Sequence, residues 1–174
     1  MEVFVETERL ILREIIPGDV EGMFELDSDK EVHKYLGNKP VTSIEESRKT
    51  IEFVRQQYIE NGIGRSAIIE KATNSFVGWT GLKLVKETVN KHTNFYDLGY
   101  RLIRKYWGKG YATESALASV KYGFQTINLS EIIGMADIRN FASQNVLEKS
   151  GLKFIETFDR EGVLHNWFSI LREE

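Results

Sequence analysis

The sequence predicts an α+β domain with a mixed α/β sheet, and three observations carry that prediction. Apolar-polar alternation of the strand type and apolar spacing of the helical type interleave in the order β-α-α-β-β-β-α-β-α-β-β. Hydrophobic residues make up 41% and charged residues 28%, a balance that buries a core and excludes a disordered chain. The 174 residues suffice for one domain, residues 1–174, and fall short of two of ordinary size.

Each element has a local cause. Arg9 to Ile15, "RLILREI", alternates as a strand, and "PGD" at Pro17 to Asp19 supplies a turn and a cap for a short helix over Val20 to Leu26. Ser43 and Glu46 form a capping box ahead of a long helix whose Ile51, Val54 and Tyr58 share a face and whose end is Gly62. "RSAIIE" and "FVGWTGLKLV" are strands joined at Asn74 and Ser75, and Asn94 to Ile103 is the third strand of that meander. Gly99 inside it marks a bulge or a close approach to the backbone. Ala112 to Gln125 carries Ala116, Leu117, Val120 and Phe124 at helical spacing, followed by the β-branched strand "EIIGMADI". A helix opening at Asn140 and closing at Gly151 comes next, and "LKFIETF" and "HNWFSIL" flank the turn "DREGV" as a terminal hairpin.

Several function classes drop out early. Acidic residues outnumber basic ones 26 to 23, for a formal charge of -3, so no global field draws the chain to nucleic acid or to an anionic membrane. The acidic start "MEVFVETERLILRE" is unlike a signal peptide and no apolar run reaches spanning length, so a cytoplasmic location is expected. Cysteine is absent, which removes disulfides, thiolate-ligated zinc and a cysteine nucleophile. His33, His92 and His165 show no metal-ligand spacing and are read as surface or packing residues; no metal is expected.

The chemistry-bearing stretch is "KYWGKGYATESA", Lys105 to Ala116. A strand ending near Ile103, a loop containing Gly108 and Gly110, and a helix starting near Ala112 aim unpaired backbone N–H groups at one point, which suits a phosphate or pyrophosphate. It is neither a Walker loop nor a dinucleotide fingerprint, and an isolated Gly-x-Gly more often only caps a helix or makes a turn.

This stretch resembles the acyl-CoA pyrophosphate loop of the GCN5-related N-acetyltransferases, Gln/Arg-x-x-Gly-x-Gly/Ala, aligned as Trp107-Gly108-Lys109-Gly110-Tyr111-Ala112. Trp107 stands where that family usually has glutamine or arginine. "YWGKGYATE" is similar to the loop of the RimJ/RimL branch, the ribosomal-protein N-terminal acetyltransferases and their relatives. Three further matches follow in order: "TERLILR" at Thr7 to Arg13, Gly99-Tyr100 before the loop, and Asn140 with Ser143 ahead of Gly151-Leu152.

The resemblance implies a GNAT-like acyl-CoA N-acyltransferase fold, with a twisted mixed sheet of six to seven strands flanked by about four helices. It implies acetyl-CoA as cosubstrate. Leu102 and Ile103 would offer backbone groups to the pantetheine arm, Trp107 to Thr113 (Gly108, Lys109, Gly110, Tyr111, Ala112 and Thr113) would form the pyrophosphate loop, and Asn140 would bond the arm from the other side. The acceptor would be an amine, either a protein N-terminus or a small molecule, and relatives are often dimers or larger assemblies, which leaves the oligomeric state open with a homodimer among the options.

Acetyl transfer needs a base to deprotonate an amine whose pKa is near ~10, a polarised carbonyl and a stabilised thiolate. Asp97 lies two residues before Gly99 on the same strand face and is nominated as base, acting directly or through water, with the short side chain favouring water; the competing reading is a solvated carboxylate or a partner of Arg101. A backbone N–H at Tyr100 to Leu102 would polarise the carbonyl. Leu147 fills the position where many relatives have a tyrosine, so Ser143 is nominated to hydrogen-bond the leaving sulfur, against its ordinary role as a first-turn helix serine. Glu114 reads as a first-turn acid favouring the helix dipole, and Trp79 and Trp167 as core or cleft-wall residues. Beside the amine N-acetyltransferase stands a second reading, a CoA-binding sensor or partner-binding module without catalysis.

Overall fold

In a computed structural model describing residues 1–173, eight strands form one sheet in the order β1-β2-β3-β4-β5-β6-β8-β7. They are β1 (Val3–Glu6), β2 (Leu10–Glu14), β3 (Ser66–Glu70), β4 (Ser75–Val85), β5 (Phe95–Leu102), β6 (Glu131–Asp137), β7 (Lys153–Arg160) and β8 (Val163–Leu171). The helices are α1 (Val20–Asp27), α2 (Ile44–Asn61), α3 (Tyr111–Gln125) and α4 (Phe141–Lys149), with 3-10 turns at Pro17–Asp19 and Arg104–Tyr106. The mixed α/β class and the element order hold, with eight strands in place of the expected six to seven. The additional strand is β1. Its reversal into β2 contains no glycine, proline or asparagine; instead the Thr7 hydroxyl accepts from the Leu10 N–H (3.0 Å), and Thr7 N–H donates to Leu10 O (2.9 Å).

The predicted local signals act as expected. Ser43 and Glu46 form the capping box of α2, Gly62 ends that helix at φ +68°, and Asn74 turns β3 into β4 at φ +57°. One face of the sheet packs on α1 and α2 through Ile15, Met23, Ile51, Val54, Ala67 and Ile69. The other packs on α3 and α4 through Leu82, Leu98, Ala116, Val120, Leu147 and Phe168. Burying these side chains supplies the main driving force for the layered arrangement.

What positions the site is a defect in the sheet. β4 and β5 pair antiparallel over eight residue pairs, from Gly78–Leu102 to Val85–Phe95. β5 and β6 are parallel and register at a single pair, Asp97 with Ile133. Past that pair the strands diverge, and the β6-facing backbone of β5 from Tyr100 to Leu102 lacks a neighbouring strand. On its far side β6 pairs antiparallel with β8 over seven residue pairs, so the opening is confined to the middle of the sheet.

Candidate active site

The opening leads directly to the glycine loop. Ile103 N–H donates to Val77 O across the β4 side (2.9 Å), so its amide points away from the opening. Alternation along the strand then turns the Leu102 peptide groups toward the opening, and the Trp107 indole donates to Leu102 O (2.9 Å). Of the two residues expected to face the pantetheine arm, Leu102 lies on the open side and Ile103 does not. Trp107 thereby folds back on its own strand, linking the strand's end to the loop.

Gly108 and Gly110 hold φ of +74° and +80°, the left-handed region where a side chain costs roughly 1–2 kcal/mol. Gly110 is the N-cap of α3, and the helix's first N–H groups lack intrahelical acceptors, so a bare, electropositive concavity faces solvent beside the opening. Lys109 is exposed, its ammonium 5.2 Å from the Tyr106 ring centroid, and Ala112 and Thr113 are half-buried on the first turn. Tyr111 points inward, donating to Glu70 Oε1 (2.5 Å).

The first-turn acid, Glu114, does more than favour the dipole. It accepts from Thr7 Oγ1 (2.7 Å), Arg9 N (3.0 Å) and Arg9 Nε (2.7 Å), while Arg9 Nη1 donates to Lys109 O (2.9 Å). Partial burial opposes the charged form of Glu114, but these hydrogen bonds and the Arg9 charge outweigh it and hold its carboxyl below the usual glutamate range. The "TERL" stretch is therefore a clamp on the loop.

On the α1/α2 face a chain of ions and rings runs along β5. Asp97 is buried and accepts from Arg65 Nη2 (2.5 Å); Arg65 Nη1 also reaches Gly81 O (2.5 Å) and Asp97 O (2.7 Å). Gly99 exists for this guanidinium, since a Cβ there would lie 2.7 Å from Arg65 Nη2. The Trp79 ring sits between two arginines, 5.3 Å from Arg65 and 5.0 Å from Arg101. Arg101 pairs with Asp27 (2.6 Å), whose Oδ1 also meets His33 Nε2 (3.3 Å). Asp97 thus has an arginine partner, but the partner is Arg65 and not Arg101. Among the described residues no hydrogen bond engages Asp97 Oδ1, which leaves one oxygen for the acceptor side.

The opposite face brings the other nominated residue to β5. Asn140 caps α4 with its side chain, accepting from Ser143 N (3.1 Å). The Tyr100 hydroxyl crosses from β5 to α4, donating to Ser143 O (2.6 Å) and lying 3.0 Å from Ser143 Oγ. Burial pushes the Tyr100 phenol well above its ordinary range, so it remains a donor at every pH of interest.

A strand pair thus opens beside a glycine-capped helix N-terminus. Residues 9–153 match the family model described as the acetyltransferase (GNAT) domain. The chain belongs to the GNAT acetyltransferase family. It is similar to the uncharacterized N-acetyltransferase YoaA of Bacillus subtilis, at 33% identity over 163 residues covering 94% of this chain and 86% of YoaA. Its fold is similar to that of a GNAT-family acetyltransferase from Bacillus anthracis, with a TM-score of 0.79, 28% identity, and coverage of 96% and 97% of the two chains. It also resembles the fold of RimL, a ribosomal L7/L12 α-N-protein acetyltransferase solved with coenzyme A, with a TM-score of 0.81, 19% identity and 98% of each chain covered.

As a GNAT acetyltransferase the protein uses acetyl-CoA, and the residues present fit it. A Cβ at Gly108 would meet nothing within 4 Å, which leaves the loop backbone open to a pyrophosphate, and the parted strands offer β5 backbone to an extended arm. The side chains of Arg65, His33 and Tyr100 were missed as components of this cluster. One signal was available for Arg65: facing glycines at 81 and 99 in adjacent strands imply a bulky group over them. No helix of the described residues is long and apolar enough to cross a membrane.

Proposed function

We propose that this GNAT enzyme acetylates a primary amine, at a protein N-terminus or on a small molecule, by direct attack on acetyl-CoA in the opening between β5 and β6. The observation that carries the reading is the reduction of the β5–β6 ladder to the single Asp97–Ile133 pair beside the Gly110-capped helix. Gly108, Lys109, Gly110, Tyr111, Ala112 and Thr113 present backbone N–H groups to the pyrophosphate, and Leu102 faces the arm. Asn140 acts mainly by fixing the first turn of α4.

Asp97 takes the amine's proton through water at Oδ1, while Arg65 fixes the carboxylate by holding Oδ2. The backbone of Tyr100 to Leu102 polarises the carbonyl. Ser143 donates to the departing sulfur, and Tyr100 is the positioning residue, its proton turning from Ser143 O to Ser143 Oγ as that hydroxyl turns to the sulfur. No covalent bond to the protein forms. The exposed Phe154 and Ile155 on the edge strand β7 support the homodimer as part of this reading.

The second reading, CoA binding without turnover, draws on Arg65's hold on Asp97 and on Leu147 where relatives have tyrosine. CoA release from acetyl-CoA, followed with a thiol reagent across amines, N-terminal peptides and polyamines against a no-amine blank, separates the two. Release with one class is expected, together with loss of CoA binding in Gly110→Trp at unchanged helical content. Tight CoA binding with no release from any class would leave only the second reading.

A further inference from the structure

The acceptor end of the cleft carries a charge pattern that extends beyond the Asp97–Arg65 pair of the proposed chemistry. Three carboxylates lie along it, and each is engaged by one guanidinium: Asp97 by Arg65 (2.5 Å), Asp27 by Arg101 (2.6 Å) and Asp137 by Arg139 (2.6 Å). By strand alternation from the Asp97–Ile133 pair, Asp137 lies on the same sheet face as Asp97. A cationic acceptor entering here meets carboxylates that are already neutralised.

The rim is cationic instead. Tyr35, in the loop joining α1 to α2, meets Arg139 from the β6–α4 connection, with the guanidinium carbon 5.7 Å from the ring centroid. This contact carries the loop across the diverging ends of β5 and β6. Lys34 lies over the same ring at 5.3 Å. The Arg139 side chain is 64% exposed even though Nε and Nη2 are bound to Asp137, so its remaining edge faces solvent at the entrance. Lys34 is exposed and, among the described residues, makes no ion pair. The connecting loop holds Lys30, Lys34 and Lys39 against Asp29 and Glu31, and Asp29 is engaged by Arg104 (3.0 Å).

We infer that the acceptor is an amine bearing a negative charge within a few bonds of its nitrogen, received by Lys34 and Arg139 across the Tyr35 ring. The inference rests on the acetyl-transfer reading of the same cleft. Two sources share this chemistry, a free amino acid, which brings its own α-carboxylate, and a peptide whose first residues after the reactive N-terminus are acidic. An exposed pair of cations raises encounter and affinity for such an anion and repels a polyamine, and salt weakens both effects.

The test compares kcat/KM for matched probes. Glutamate against glutamine amide and glycine against glycinamide address the free amino acid; Ala-Glu-Glu-Phe, Ala-Gln-Gln-Phe and Ala-Lys-Lys-Phe, amidated at the C-terminus, address the peptide; spermidine is the polyamine arm. At low salt the acidic member of one series should exceed its neutral counterpart by at least about 10-fold and spermidine by about 100-fold. The ratio should shrink several-fold in 0.5 M salt, on the order of the screening expected at a 4 Å Debye length.

Lys34→Gln should bring the acidic-to-neutral ratio to within about 3-fold of unity at an unchanged melting temperature. Arg139→Gln should do the same, but it strands the buried Asp137, so Lys34→Gln is the decisive variant. Equal or faster turnover of the cationic probes would overturn the inference and leave acetyl transfer standing, as would an acidic preference that survives Lys34→Gln. Bound CoA with no turnover of any probe would overturn both.

Discussion

Asp97→Asn tests the base and the ion pair together, because the two roles leave different signatures. The substitution removes the charge facing Arg65, whose side chain is only 12% exposed, but keeps an oxygen for its guanidinium. Stranding one partner of a buried pair costs roughly 3–5 kcal/mol, and the retained amide oxygen puts the expected loss near the lower end, about 3 kcal/mol. In a chain of this size that lowers the melting temperature by roughly 6–12 °C. As a base, Asp97 should contribute about 10²-fold or more to kcat/KM at pH 7 for an alkyl-amine acceptor of pKa near ~10, of which only about one molecule in 10³ is then neutral. Near pH 10 the amine deprotonates unaided, and the deficit should fall below about 10-fold. Rates are therefore measured from pH 7 to 10, well below the variant's melting temperature. A deficit constant across that range would refute the base, and an unchanged melting temperature would refute the stabilising role of the pair.

The remaining predictions concern the loop and the leaving group. Glu114→Gln should lose the charge-assisted bonds from Arg9, lower stability by about 2 kcal/mol and weaken CoA binding through the freed Lys109 carbonyl, read by thermal melts and calorimetry. The folded-state carboxyl is held below the ordinary glutamate value of 4.5, so its contribution is present above that pH and is lost as pH falls through the depressed value; the gap between wild type and Glu114→Gln should close on acidification below about 4.5. Ser143→Ala should lower kcat by about 10–10²-fold with little change in KM for acetyl-CoA, and Tyr100→Phe should do so less severely. If the two effects multiply fully in the double variant, the hydroxyls act independently and the Tyr100 positioning role is wrong.

What the sequence disclosed depended on how far apart the cooperating residues lie. The loop was legible because positive φ at Gly108 and Gly110, together with the start of α3, falls within a few consecutive residues. The clamp was not, since Arg9 and Glu114 are 105 positions apart and each has an ordinary local reading. Asp97 and Arg101 share a strand face, which suggested a pair, but four residues of strand span about 13 Å, far beyond a salt bridge. Each carboxylate or guanidinium therefore turned to another element: Asp97 to Arg65 at the entrance to β3, and Arg101 to Asp27 at the end of α1, 74 positions away.

Strand periodicity also explains how β5 presents different groups to the two faces of the sheet, as the proposed reaction requires. Asp97, Gly99 and Arg101 point to the α1/α2 face, and Leu98, Tyr100 and Leu102 point to the α3/α4 face. The proposed base Asp97 and the Arg101 that pairs with Asp27 thus stand on one side of the thioester's expected path. The phenol that orients Ser143 stands on the other. The backbone between them is free to bind the arm because β6 leaves it unpaired beyond Ile133. A one-residue slip of β5 against β4 would exchange the two faces, placing the Tyr100 ring where the Arg65 guanidinium lies and a charge against Leu82 and Leu147. The facing glycines at 81 and 99 make that slip costly, since only in this register do two bare positions meet to admit Arg65. The glycine in "DLGYRL" therefore serves the site indirectly, by locking the register that turns Asp97 to one face of the sheet and Tyr100 to the other.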